Sequence, residues 1–222
     1  MMQKIDIKQD LKALNNQKAA ENRNLFSSQG IYVINMMGSP GAGKTTLLES
    51  ILPQLNSVLH TAVIEGDLAT QNDALRIQKT GTIALQINTN GGCHLDAKMI
   101  GNQLQKLDLG TLQLLIIENV GNLVCPATFD LGEDMRMVVL SLAEGEDKPV
   151  KYPVAFLNAI TAVITKTDLS PYLDANTDVM KQYIADINPK VLVFEAGKKD
   201  GVYSAERLVE YIIEQVKKKQ ST

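Results

Sequence analysis

The chain has 222 residues, 45% of them hydrophobic and 21% charged, and a formal net charge of -3. That length supplies one good core, the balance is that of a globular protein, and the slight acidity excludes a broad basic face for nucleic acid. Apolar runs such as Leu112–Ile117 are too short to span a bilayer, and Met1–Ile7 has no apolar signal core, so a cytoplasmic protein without membrane or nucleic-acid partners is expected.

Residues 1–28 read as a helical extension and 29–222 as one domain. Within the extension Ile7, Leu11 and Leu14 fall at i, i+4, i+7, a narrow stripe that suits a helix packed on the outside of the domain. A solvated arm is the competing reading. From residue 31 onward short apolar runs alternate with helical patterns. Strands are expected over 31–37, 61–66, 82–87, 112–118, 137–142, 160–165 and 190–194, and helices over 44–56, 70–79, 95–107, 171–186 and 204–219. Ser170 as N-cap and Pro171 at the first helical position predict where helix 171–186 starts. The last helix puts Leu208, Tyr211, Ile212 and Val216 on one face and ends in Lys217–Lys219, which suits the negative end of its dipole. The alternation predicts an α/β fold: a doubly wound, mostly parallel sheet of about seven strands. Ligands of such sheets gather beyond the carboxyl ends of the strands.

After the first strand comes Gly38-Ser39-Pro40-Gly41-Ala42-Gly43-Lys44-Thr45-Thr46, which fits the P-loop pattern G-x-x-x-x-G-K-[ST] and stands between a strand and a helix, the context that motif requires. Glycines let backbone N–H groups curl around phosphate oxygens, and the following helix adds partial positive charge. Lys44 can reach the terminal phosphates and Thr45 can offer a hydroxyl to Mg2+. The second strand ends in Glu65-Gly66-Asp67 and the fourth in Glu118-Asn119-Val120-Gly121, an acid in each case where a Mg2+ partner belongs. Gly121 offers a backbone N–H for a γ-phosphate. A helix cap or a loop charge is the plain alternative for either acid.

The sixth strand leads into Thr165-Lys166-Thr167-Asp168, which resembles the [N/T]-K-x-D base-recognition element of GTPases. A carboxylate at Asp168 accepts both guanine N1–H and the exocyclic amine, a pairing adenine cannot make, while the Lys166 stem covers the base plane. Thr165 in place of Asn removes an amide that ties this loop to the P-loop, so weaker binding is expected. Ala196, within Glu195-Ala196-Gly197-Lys198, stands where a loop backs the guanine carbonyl.

Cys93 and His94, good ligand types for soft and borderline metals, stand side by side after Asn90-Gly91-Gly92, where a helix N-terminus would lower the thiol pKa. Cys125 precedes Pro126, seven residues beyond Glu118. All three fall in loops at the nucleotide edge and form a candidate metal site; a buried thiol and a surface histidine that never meet is the alternative. Three donors leave a fourth position for water or a symmetry-related chain. No disulfide is expected between the two cysteines. His60, ahead of a strand, reads as structural or exposed.

Taken together, the P-loop, Glu65-Gly66-Asp67, Cys93-His94-Leu95, the run Glu118-Asn119-Val120-Gly121-Asn122-Leu123-Val124-Cys125-Pro126 and Thr165-Lys166-Thr167-Asp168-Leu169 resemble the HypB family of hydrogenase nickel-incorporation GTPases, in the SIMIBI class of P-loop NTPases. The match covers nearly all of the chain after residue 28. The resemblance implies a GTP-hydrolysing metallochaperone for [NiFe]-hydrogenase maturation. It would hold Ni2+ or Zn2+ at Cys93, His94 and Cys125, work with a HypA-like nickel-binding protein and the hydrogenase large subunit, and dimerise in response to nucleotide or metal. Lys44, Asp67 and Glu118 carry the chemistry in that reading; Thr45, Asp67 and Glu118 hold Mg2+, and Asp67 orients the attacking water in a slow reaction. The N-terminal residues contain neither Cys nor His, so the additional nickel motif of some members is not expected. The urease accessory GTPase differs in its Cys-Pro-His motif. A metal-storage module using nucleotide only structurally and a small-molecule kinase are readings from other classes, and the Thr165–Asp168 element argues against the kinase.

Overall fold

The structure is a computed structural model, and it describes residues 7–67, 72–199 and 202–221. Seven strands, β1 (Tyr32–Gly38), β2 (Thr61–Asp67), β3 (Ile83–Asn88), β4 (Leu114–Glu118), β5 (Met135–Ser141), β6 (Thr161–Thr165) and β7 (Leu192–Glu195), form one sheet in the order β3-β2-β4-β1-β5-β6-β7. Every neighbouring pair in it is parallel. The helices are α1 (Ile7–Ser28), α2 (Lys44–Asn56), α3 (Asn72–Gln78), α4 (Ala97–Leu104), the single turns α5 (Lys148–Lys151) and α6 (Val154–Leu157), α7 (Thr177–Ile187) and α8 (Glu206–Gln220). The expected α/β, doubly wound parallel sheet is what forms, each strand close to its expected bounds.

The continuous apolar runs are explained by burial on both faces. Leu114 and Ile116 of β4 join a core with Leu47, Ile51 and Leu55 of α2 and Leu208, Ile212 and Val216 of α8. Leu115 and Ile117, one step out of phase, join Phe26 of α1 and Ile100 and Leu104 of α4 on the other face. A third cluster sets Met37, Val138 and Ile164 against Phe156 of α6 and Met180 and Ile184 of α7. Each fully buried aliphatic side chain contributes about 1.5–3 kcal/mol. The chain winds from central β1 out to β3, returns to place β4 beside β1, and winds out the other way through β5, β6 and β7, so the crevice beyond the carboxyl ends of β1, β4 and β5 is the topological switch point.

Two local expectations are corrected and one element is added. Helix 171–186 does not start at Ser170: Thr167–Tyr172 is a 3-10 segment containing Pro171, and α7 starts after Asn176, whose side chain accepts from Asp178 N at 2.7 Å. Pro171 satisfies a 3-10 turn as well as a helix start, while Leu173 is extended (φ -117°, ψ 146°), so the helix waits for the next cap. The N-terminal helix does pack, but not through its leucines: Leu11 and Leu14 are 59% and 63% exposed. Its inner face is Ala19, Asn22 and Phe26, with Asn22 Nδ2 donating to Ala97 O at 2.8 Å and Arg23 paired with Asp130 at 2.7 Å. Polar residues that bind backbone carry no apolar period, so the stripe pointed to the wrong face. Two short strands, β8 (Gly197–Lys199) and β9 (Val202–Ser204), pair antiparallel, which the sequence pattern did not announce. Residues 1–6 of the extension and residues 70 and 71 of the expected helix 70–79 lie outside the described residues. Among the described residues no helix is long and apolar enough to cross a membrane.

Candidate nucleotide and metal site

The P-loop turns through left-handed backbone at Gly41 (φ 76°) and Gly43 (φ 89°), and Gly43 caps α2, aiming that helix's N-terminus into the crevice. Gly38 is required by close approach: a Cβ there would lie 2.5 Å from Val139 O. Gly121 also packs closely on the loop, a Cβ there meeting Pro40 Cγ at 3.0 Å. A cavity of about 440 Å³ is lined by Pro40, Gly41, Gly43, Lys44, Thr45 and Thr46, by Glu65, Gly66 and Asp67, and by Glu118, Gly121 and Lys166. Ser39 and Ala42 are buried behind it. The Lys44 ammonium is curled onto Gly38 O and Ser39 O at 3.4 and 3.5 Å, weak bonds that a phosphate can displace. Two further cations border the loop without having been predicted. Lys148 reaches Ser39 Oγ at 3.4 Å, and Arg76 donates to Thr46 Oγ1 at 3.2 Å while bound to Glu49 and Asp73. Neither falls in a motif, and only the fold brings them here.

Parallel register sets Glu65 of β2 opposite Glu118 of β4, both almost fully buried. Thr45 donates its hydroxyl to Glu118 Oε1 at 2.9 Å, while Glu118 Oε2 and Glu65 Oε2 are buried with no hydrogen-bond partner among the described residues. Buried orphan carboxylate oxygens beside a P-loop hydroxyl, with Asp67 at the same strand end, are a hard oxygen donor set that fits Mg2+. Sequence reasoning named Asp67 and Glu118 and passed over Glu65, although its place at the strand end was visible. Burial, the neighbouring Glu118 charge and the charges of Asp73 and Asp67 push Glu65 up to about 8; burial pushes Glu118 up to about 7 against the opposing pull of Lys44 and Thr45. A carboxyl raised in the folded state stabilises the fold below its unfolded value of 4.5 and loses that contribution as pH rises through the folded value. Chelator-treated protein is therefore expected to lose stability progressively, on the order of a few kcal/mol, as pH rises from about 4.5 to about 7–8, and Glu65→Gln to remove much of that slope. Thermal melts across this range check it, and equal slopes for the two proteins would refute it.

At the other end of the cavity Lys166 is held at φ 57° and donates to Gly41 O at 2.9 Å. The Thr165 hydroxyl lies 2.6 Å from Ala42 O and 3.0 Å from Leu140 O, and with one proton it donates to the nearer. The expected loss of a tie between this loop and the P-loop is thereby corrected: the Thr165 hydroxyl reaches the P-loop backbone at Ala42 directly. Asp168 Oδ1 accepts from Lys198 N at 3.0 Å. Ala196 is buried, and its N–H is committed to Ile164 O at 2.8 Å, so it is not free to donate to a ligand.

Across the same edge Cys93, His94 and Cys125 come together, their ligand atoms all within 4.8 Å of one another. Both thiols are free. The His94 ring stacks on Phe129 with centroids 3.8 Å apart, and Cys93 Sγ lies 3.5 Å from His94 Nδ1. Burial lowers the His94 pKa, which favours the neutral imidazole a metal needs. The expected helix effect on Cys93 is corrected. The Cys93 thiol donates to its neighbour Cys125, which together with desolvation raises that thiol, and α4 begins only after Asp96, whose side chain accepts from Met99 N at 2.7 Å. The helix end is thus spent on its own cap. His60 is exposed and stands apart from the cluster, its N–H held by Gln113 Oε1 at 3.0 Å.

A family model described as CobW/HypB/UreG, nucleotide-binding domain, matches residues 32–195. The hydrogenase maturation factor HypB of Azotobacter chroococcum mcd 1 is 48% identical over 200 residues, which cover 89% of this chain and 65% of that relative, so the chain spans just under two thirds of its length. The hydrogenase/urease maturation factor HypB of Helicobacter pylori (strain J99 / ATCC 700824) is 40% identical over 200 residues, covering 88% of this chain and 82% of the relative. A crystal structure of HypB from Helicobacter pylori in complex with nickel superimposes with a TM-score of 0.86 at 39% identity, over 92% of this chain and 95% of that one.

Proposed function

The chain belongs to the HypB hydrogenase maturation factors of the CobW/HypB/UreG family, and from that membership we propose that it hydrolyses GTP to time the binding and release of nickel for [NiFe]-hydrogenase. The observation that carries the reading is the placement of the Cys93–His94–Cys125 cluster at the same sheet edge as the P-loop, with Cys125 on the segment that continues from Glu118. In this reading residues 29–222 are the GTPase domain and residues 1–28 an appended helix. P-loop amides, the α2 N-terminus and Lys44 bind the phosphates of GTP. Asp168 and Lys166 select guanine. Thr45, Glu118 and Asp67, backed by Glu65, hold Mg2+, which when bound offsets phosphate charge. Asp67 orients a water for attack on the γ-phosphorus, the bond to the bridging oxygen breaks, and GDP and phosphate result. Among the described residues no glutamine lines the cavity, and turnover is expected to be slow.

Nickel is the cargo, and zinc suits the same donors. Two thiolates and an imidazole leave one tetrahedral position, for water or for a second copy of the chain in a nucleotide- or metal-dependent dimer. A HypA-like nickel-binding protein is the partner in metal transfer and the hydrogenase large subunit the destination. The name of the Helicobacter relative adds urease as a second destination for the same metal. The test is Ni2+ titration with GDP and with a non-hydrolysable GTP analogue, followed by mass in solution. Nickel affinity and dimer population are expected to change together between the two states. Identical affinities in both states would instead leave a metal-binding module that uses nucleotide only structurally.

A further inference from the structure

Asn119 directly follows Glu118 and is 1% exposed. Its N–H donates to Met36 O at 2.9 Å, in the strand that runs into the P-loop. Its side-chain oxygen accepts two bonds, from Val120 N at 3.0 Å and from Leu95 N at 3.1 Å, and its amide nitrogen donates to Asn35 Oδ1 at 3.2 Å. Leu95 is the residue after His94. One buried amide thus bolts the Cys93-His94-Leu95 segment to the strand end that presents Glu118 to the nucleotide cavity, which Asn119 itself lines. Asn122 adds a weaker bond to Cys93 O at 3.2 Å, and it also bridges to Gly38 at the head of the P-loop.

The other end of Leu95 meets the second acidic segment. Its side chain is fully buried against Gly66, where a Cβ would lie 2.8 Å from Leu95 Cγ. Gly66 precedes Asp67. The Leu95 backbone therefore answers to the Glu118 segment and its side chain to the Asp67 segment, the two pieces of chain that a γ-phosphate and its cation would order. Packed contacts of this kind shift as units rather than deform, so displacement of either segment carries His94 with it.

From these contacts we infer that Asn119 is the positioning residue that transmits nucleotide state to the Cys93–His94 ligands, through its bond to Leu95 N. The inference rests on the proposed nucleotide-timed nickel binding. A side-chain acceptor of this reach is needed: Ala removes it, Ser falls short of Leu95, and Asp keeps it while giving up the donor to Asn35 and adding a buried acid beside Glu118.

The experiment measures the ratio of Ni2+ Kd values between saturating GDP and a saturating non-hydrolysable GTP analogue, in wild type, Asn119→Ala and Asn119→Asp, with the near-ultraviolet nickel–thiolate absorption recorded in each state. In wild type a ratio on the order of 10 and a nucleotide-dependent shift of that band are expected. In Asn119→Ala the ratio falls to near unity and the shift disappears, and Asn119→Asp retains both. Where Asn119→Ala does not fold, Asn119→Ser is read by the same criterion. A full ratio in the Ala or Ser variant overturns the role of Asn119 while leaving nucleotide-timed binding intact. A ratio of unity in wild type overturns the timing itself.

Discussion

Asn in place of Asp168 is expected to weaken GTP binding by about 100-fold or more and to improve binding of xanthosine triphosphate. In the proposed base site the carboxylate stands at the start of the 3-10 segment that follows left-handed Lys166, with Oδ1 steadied by Lys198 N at 3.0 Å. Gly197 is the partner of that placement, since a Cβ there would lie 2.8 Å from Asp168 Oδ1 and 2.6 Å from Thr167 Oγ1. Guanine presents two donors on one edge, and an ionised carboxylate accepts both. Asn can keep its oxygen on Lys198 N and turn its amine toward the base, where it opposes the guanine amine and matches the carbonyl of xanthine. Displacement of a fluorescent guanine nucleotide by GTP, xanthosine triphosphate and ATP measures all of this together. ATP displacing better than GTP from the unmutated protein would remove the base assignment.

Loss of either thiol is the second large effect. Cys93→Ala or Cys125→Ala is expected to reduce Ni2+ affinity by more than the 10–100-fold that loss of a supporting contact costs, because a ligand itself is removed. Competition against a chromophoric chelator gives the number, and unchanged affinity in both variants would exclude the cluster as the nickel site. The same titration has a predicted pH dependence. Cys125 raises the Cys93 thiol, so the thiolate a metal requires is scarcer at neutral pH and binding releases a proton. Affinity therefore rises with pH. The lowered pKa of His94 keeps its imidazole neutral, so histidine protonation sets in only on the acid side of its usual range. Phe129, stacked on that ring, is expected to matter less: Phe129→Ala frees the ring without removing a donor.

How much of this was legible in the chain follows from the range of each interaction. The P-loop, the seven strands and the acids at their ends were readable because glycine conformation, apolar runs and strand-end position are local properties of the sequence. Misplaced elements were those decided by competing polar caps. Asn176 displaced Ser170 as the start of α7, and Asp96 capped α4 beyond Cys93. The inner face of α1 was hidden for a related reason, since Asn15 and Asn22 bind backbone 75 or more residues away and leave no apolar period. At the site the residue types in the Cys-His and Cys-Pro loops named a metal, but only the packing of α4 beside β4 brings Cys125 to Cys93.

The sequence alone determined the class of fold, the phosphate loop and the chemistry of the candidate ligands. Tertiary structure decided what touches what: Glu65 beside Glu118, the Thr165 hydroxyl on Ala42, and Asn119 on Leu95. Those contacts are single hydrogen bonds or strand registers between residues distant in the chain, and neither leaves a periodic trace in the order of amino acids.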